Sequence, residues 1–165
     1  MAKNAAYLFV YGSLRRGAKK GMNRLLARYG RFVANATYPG RLYRVADYPG
    51  AVPSDRPGEV VHGEVWRLAC PERAFVRLDE YEACGPGFPE PAEYVRCVAE
   101  VTLAGGETVS AWLYLYNLPT EGLEVIGHGD YLHDAADSQG SSCFSRGYRL
   151  LSPPPPGEGA KPRSK

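Results

Sequence analysis

Two features of this sequence could do chemistry: a glutamate on an apolar helix face and a glycine-bearing loop after a buried strand. Over residues 71–82, Phe75, Leu78 and Glu82 stand at i, i+3 and i+7. Helical spacing puts Glu82 on the face that carries two large apolar side chains. A carboxylate aimed at a core is costly unless it is paired or neutral. Desolvation raises its pKa, and a carboxyl titrating near neutrality can act as a general acid/base. The same spacing also suits a helix-end residue in water, or an ion-pair partner of Arg77 or Arg96. Asp79 shares that side of the helix, and Glu80 points elsewhere.

The second feature is Tyr11-Gly12-Ser13-Leu14, followed by Arg15-Arg16-Gly17. A glycine there lets the backbone turn sharply and gathers successive N–H groups on a concave surface. Such a nest holds a carboxylate or a developing oxyanion without side-chain charge; a plain strand-to-loop turn is the alternative. No G-x-x-x-x-G-K-[ST] string occurs, which excludes a P-loop, and no G-x-S-x-G elbow presents Ser13 as a nucleophile. The four cysteines, Cys70, Cys84, Cys97 and Cys143, include no C-x-x-C pair and read as free thiols of a reducing cytoplasm. A Cys84 nucleophile lacks an evident base beside it. His62, His128 and His133 do not stand at zinc-ligand spacing from the cysteines, so neither a metal nor a cofactor is expected.

The elements that must position these residues are mostly strands. Residues 6–10 form an apolar run closed by Gly12 and read as a buried strand; 41–45 and 60–68 read as strands joined by a Pro/Gly-rich loop over 47–58. Residues 94–103 and 108–117 predict a hairpin turning at Gly105-Gly106. Met22, Leu25, Leu26 and Tyr29 are spaced as a helix. A second helix, over 71–82, begins at a proline. Many strands and few helices, not strictly alternating, predict an α+β fold with a small curved or closed sheet.

The chain has 165 residues, 44% of them hydrophobic, and a formal charge of +2. That is enough for one globular domain with a real core. The near-neutral total excludes a uniformly basic nucleic-acid-binding surface, and no nucleic-acid motif is present. The apolar runs fall far short of the ~20 residues of a membrane span, and no leader is evident at the start. From Ser152 onward the chain is Pro-, Gly- and charge-rich, which predicts a disordered tail over 152–165. The folded domain is expected over 1–137, with 138–151 as its extension. Oligomeric state is not legible. Charge is unevenly distributed, with ten basic residues against Asp47 alone in the first 50. Mixing of these charges in three dimensions is the simpler expectation; a rim of Arg15, Arg16, Lys19 and Lys20 that draws in an anionic substrate is the sharper one.

Together the motifs resemble the gamma-glutamylcyclotransferase superfamily, which includes the AIG2-like proteins. Leu8-Phe9-Val10-Tyr11-Gly12-Ser13-Leu14-Arg15-Arg16-Gly17 resembles its opening strand and substrate loop, and Leu78-Asp79-Glu80-Tyr81-Glu82 its L-D-x-x-E segment. Val61-His62-Gly63-Glu64-Val65-Trp66, Trp112-Leu113-Tyr114-Leu115-Tyr116 and Gly129-Asp130-Tyr131 are similar to its later elements, in the same order. The resemblance implies a compact mixed β-barrel with flanking helices and a pocket at one end. It also implies an enzyme that cyclises a γ-glutamyl group to 5-oxoproline and releases an amine or amino acid. By position, Tyr11, Gly12, Ser13 and Leu14 would bind the small γ-glutamyl substrate, and Glu82 would be the acid/base. The pocket tyrosine would be Tyr114 or, as favoured here, Tyr116. One departure stands out: the family often has a glycine after its glutamate, where this chain has Ala83 and a longer loop.

Two other classes compete. A non-catalytic relative would bind a small acid or a partner in the same pocket, and an unrelated hydrolase would use Ser13 or Cys84.

Overall fold

The computed structural model describes residues 6–18 and 22–137. Strands β1 (Tyr7–Val10), β2 (Gly30–Arg44), β3 (Pro49–Pro53), β4 (Val60–Leu68), β5 (Tyr94–Leu103), β6 (Thr108–Tyr116) and β7 (Glu124–Val125) are interrupted by helix α1 (Asn23–Tyr29) after β1 and α2 (Pro71–Tyr81) after β4, and are followed by α3 (Tyr131–Asp137). Five strands, in the order β2-β4-β1-β6-β5, close into a barrel when β5 returns to β2 at Ala36↔Leu103 and Thr37↔Thr102. The β1–β6 pair is parallel and its neighbours are antiparallel, so the barrel is mixed. β3 and β7 add to the second half of β2 outside the ring.

β1 explains the architecture. Phe9 points into the barrel with Val61, Val65, Val101 and Leu113. Leu8 and Val10 point outward, beneath α1 and α2, with Leu26, Trp66, Phe75, Leu78 and Tyr114. A strand covered on both faces reads as a continuous apolar run, and this one does. The β5–β6 hairpin pairs Tyr94 with Tyr116 at one end and Thr102 with Thr108 at the other, as its alternation predicts.

The sequence reading of β2 is too short. Its inward positions in the first half include Ala34 and Ala36, and Val33 at a register shift is 40% exposed. Small residues inside and an apolar one outside hide the period-two signal. β3 lies within the segment read as a loop; its terminal prolines suit an edge strand, where a missing N–H leaves no ladder bond unmade. α3 was not foreseen. The expected extension over 138–151 and tail over 152–165 lie outside the described residues. Among the described residues, no helix is long and apolar enough to cross a membrane.

Candidate active site

Helix α2 delivers Glu82. Proline opens the helix, Ala74, Phe75 and Leu78 bury one stripe, and Glu82 caps its C-terminal end. The last turn closes in a two-bond motif: Cys84 N donates to Asp79 O (2.9 Å) and Ala83 N to Glu80 O (3.3 Å). This 6→1 and 5→2 pairing wants a left-handed residue between them, normally glycine. Here Ala83 takes that conformation, with φ +50°. The departure from the family pattern therefore carries local strain and leaves the turn geometry intact. Ala83→Gly is expected to raise stability by about 1 kcal/mol, measured by urea denaturation; an unchanged or lower midpoint contradicts it.

The same turn brings the two chemical features together. Tyr81, immediately before Glu82, shares a 2.6 Å hydrogen bond between its hydroxyl and Ser13 Oγ. The substrate-like loop and the helix end are thus tied side chain to side chain. The Ser13 hydroxyl is engaged with a tyrosine, and among the described residues it has no histidine partner of the kind a serine nucleophile uses. Glu82 is half-buried, and among the described residues its carboxyl has no hydrogen-bond or ion-pair partner. The ion pairs allowed by spacing are taken elsewhere: Arg77 meets Glu80 at 3.5 Å and Arg96 meets Asp79 at 3.2 Å. Burial, with a smaller push from the Glu93 charge, lifts the Glu82 carboxyl from its ordinary 4.5 to about 8.

Tyrosines surround that carboxyl. Burial raises the pKa of Tyr11, Tyr94 and Tyr114, and the charge of Glu82 contributes to each shift. Their protons are committed. Tyr11 donates to Tyr114 O (2.6 Å) and accepts from Ala51 N (3.3 Å). Tyr94 donates to Pro49 O (2.8 Å) and Tyr114 to Asp79 Oδ1 (2.6 Å). The hydroxyl oxygens of Tyr94 and Tyr114 keep lone pairs to offer. Tyr114 and Tyr116 share a face, as alternation predicts, but differ in setting. Tyr114 is 4% exposed and reaches α2; Tyr116 is half-buried and stands edge-on to Tyr94 at 5.7 Å. The titration of Tyr116 is raised by burial and then by Glu93. Tyr116 thus sits toward Glu93 and Tyr48, whose hydroxyl donates to Glu93 (2.7 Å).

The loop itself is a tight turn in which Arg15 N donates to Gly12 O (3.1 Å). Among the described residues, the amides of Gly12, Ser13 and Leu14 donate to no other group. Gly12 lets the loop pass close to Pro49: a Cβ there would lie 3.1 Å from Pro49 Cγ, a tight contact. Leu14, 4% exposed, roots the turn in the outer core. Two acids from distant segments hold its far side. Glu64, itself 4% exposed, accepts from Arg16 N (3.2 Å) and Trp66 Nε1 (3.2 Å), while the Arg16 guanidinium lies 3.3 Å over Phe32. Asp130 binds Arg15 at 2.7 Å. Burial opposes the charge of Asp130, but Arg15 and the Leu132 and His133 amides hold its carboxyl below the usual range.

Arg15 and Arg16 therefore brace the loop and are not free rim charges; Lys19 and Lys20 lie outside the described residues. Glu64, Tyr81 and Asp130 stand within the motifs that carry the family resemblance, and Tyr94 opens a predicted strand, but the sequence alone assigns none of them a role. A buried-strand glutamate flanked by Gly63 and Val65 was the available signal. His128 and His133 meet edge to face, with ring centroids 4.6 Å apart. Among the described residues no three His, Cys, Asp or Glu side chains gather as a metal site. Cys70, Cys84 and Cys97 are free thiols, Cys70 exposed and the other two half-buried.

The comparisons agree with this geometry. Residues 8–133 match the family model "Gamma-glutamyl cyclotransferase, AIG2-like". The chain is 33% identical over 132 residues to the gamma-glutamylcyclotransferase family protein YtfP of Escherichia coli K12, covering 76% of this chain and 95% of that one. The solution structure of Escherichia coli YtfP superposes with a TM-score of 0.54 at 32% identity, over 78% of this chain and 98% of that one. The crystal structure of a mouse AIG2-like protein shares the fold, with a TM-score of 0.63 at 24% identity, over 87% and 98% of the two chains. Barrel, loop and matched sequence lead to one assignment: the chain belongs to the AIG2-like gamma-glutamyl cyclotransferase family.

Proposed function

We propose that this protein cyclises a γ-glutamyl group to 5-oxoproline and releases the attached amine or amino acid, with Glu82 as general acid/base. The observation that carries this reading is a half-buried carboxyl, unpartnered among the described residues and raised to about 8, tied through Tyr81 to a loop whose three amides donate to no other described group. The reaction is intramolecular, so the protein has to hold a folded conformer and move protons. Donors and acceptors are segregated in a way that suits it. The Gly12, Ser13 and Leu14 amides offer N–H groups to a carboxylate or a developing oxyanion. Glu82 and the tyrosine oxygens offer lone pairs to an ammonium.

The α-ammonium gives a proton to the Glu82 carboxylate. The freed amine nitrogen attacks the γ-carbonyl carbon and forms the ring C–N bond. The tetrahedral oxyanion collapses and the bond to the leaving amine breaks as Glu82 returns its proton to that nitrogen; the ring nitrogen gives up its second proton to the departing amine, which leaves as an ammonium. The free thiols suit a cytoplasmic setting, which belongs to the same proposal. Incubation with a panel of γ-glutamyl amines and amino acids is expected to yield 5-oxoproline and free amine in equal amounts. Tight binding of a panel member with no turnover of any of them would instead make the protein a non-catalytic binding relative.

A further inference from the structure

The Tyr114 hydroxyl stands one helical turn from Glu82. It donates to Asp79 Oδ1 at 2.6 Å, and Asp79 and Glu82 are i and i+3 on α2, about 4.5 Å apart along the axis. Asp79 is in turn held by Arg96, whose Nη1 lies 3.2 Å from Asp79 Oδ2. The guanidinium is fixed in place by two rings, 4.1 Å over Phe75 and 5.2 Å from Trp112. Phe75, Asp79, Arg96 and Trp112 line one cleft between α2 and the β5–β6 hairpin, on the side of Asp79 that faces the start of the helix.

A tyrosine hydroxyl has one proton. If Tyr114 gave it to Glu82, the hydrogen bond would stabilise the carboxylate and make it a poorer base. Asp79 competes for that proton, and a cation beside Asp79 keeps it an acceptor. We propose that Asp79 and Arg96 are positioning residues: together they claim the Tyr114 proton and keep that hydroxyl from donating to Glu82. The inference rests on the cyclotransferase reading for its purpose, since only a basic Glu82 benefits. It rests on geometry for its substance. The other charged or titratable groups facing Glu82 are Tyr11 at the end of β1 and Glu93 and Tyr94 at the start of β5. The hydroxyls of Tyr11 and Tyr94 are committed to backbone carbonyls, and Glu93 is an acceptor. Tyr114 is thus the donor whose direction decides.

The test is a carbon-13 NMR titration of the Glu82 carboxyl in wild type, Asp79→Asn, Tyr114→Phe and the double variant. In Asp79→Asn, Arg96 can only donate, so it selects the amide oxygen and turns the amide nitrogen toward Tyr114. The tyrosine proton is released toward Glu82, and the Glu82 midpoint is expected to fall by about one pH unit, the size of a hydrogen bond to a charged group. Tyr114→Phe alone should leave the midpoint close to wild type, and the double variant should return it there. Two results overturn the inference: no fall in Asp79→Asn, or a fall that persists in the double variant and so reflects only the lost Asp79 charge. The titration needs no turnover. Failure of the cyclotransferase reading would appear separately, as absence of 5-oxoproline from wild type.

Discussion

Glu82→Gln is expected to lower kcat for 5-oxoproline release by about 10²-fold or more while the protein stays folded. Glutamine keeps the shape of the side chain and its place at the end of α2, so the Ser13–Tyr81 tie and the closing turn survive. It cannot take a proton from the ammonium or return one to the leaving amine. The substitution should also change stability in a direction that separates it from ordinary damage. The folded-state pKa of about 8 lies above the ordinary 4.5. Ionising Glu82 therefore costs more in the folded protein than in the unfolded chain. The cost is absent below the ordinary carboxyl range, grows as pH rises from there, and is complete above about 8. Wild type should lose stability across that window from this group, and Glu82→Gln should remove that loss. Denaturant midpoints at pH 5 and pH 9 measure it; equal pH dependence in both proteins would mean that the carboxyl is not desolvated.

Glu64→Ala is expected to cost about 3 kcal/mol of stability. Its side chain accepts from the Arg16 amide and from the indole of Trp66, which packs in the outer core under the loop. Alanine leaves those donors without the carboxylate they share. Because Arg16 follows the 11–14 turn directly, the loss should also shift the undonated amides and raise KM. Arg16→Ala, by contrast, removes a half-exposed guanidinium and keeps the backbone N–H, so its cost should be well below that of Glu64→Ala. Urea unfolding of the two variants checks the order; equal midpoints would show that Glu64 is not an anchor.

How far these features are legible in the sequence depends on what each signal encodes. Phe75, Leu78 and Glu82 report a helix face, so the direction of Glu82 can be read from spacing. Its freedom from Arg77 and Arg96 cannot, because that depends on Glu80 and Asp79 capturing those cations first. The β5–β6 hairpin is legible because its faces alternate and its turn has glycines. The first half of β2 is not, because Ala34 and Ala36 inside look no more buried than Asn35 outside. The tyrosine cluster is the hardest case. Tyr11, Tyr94 and Tyr114 come from three strands, and only barrel closure reveals that they converge on one carboxyl. Alternation correctly puts Tyr114 and Tyr116 on one face, yet the contact that separates them runs to Asp79, on a different element.

The central claim is that Glu82 moves the proton in cyclisation. Its most direct test is the pH dependence of kcat/KM for 5-oxoproline release, wild type beside Glu82→Gln on the same γ-glutamyl substrate. Wild type should gain activity as pH rises toward about 8 and then level, and this limb should be missing from the residual activity of the variant. Profiles of the same shape and comparable height in both proteins would contradict the claim.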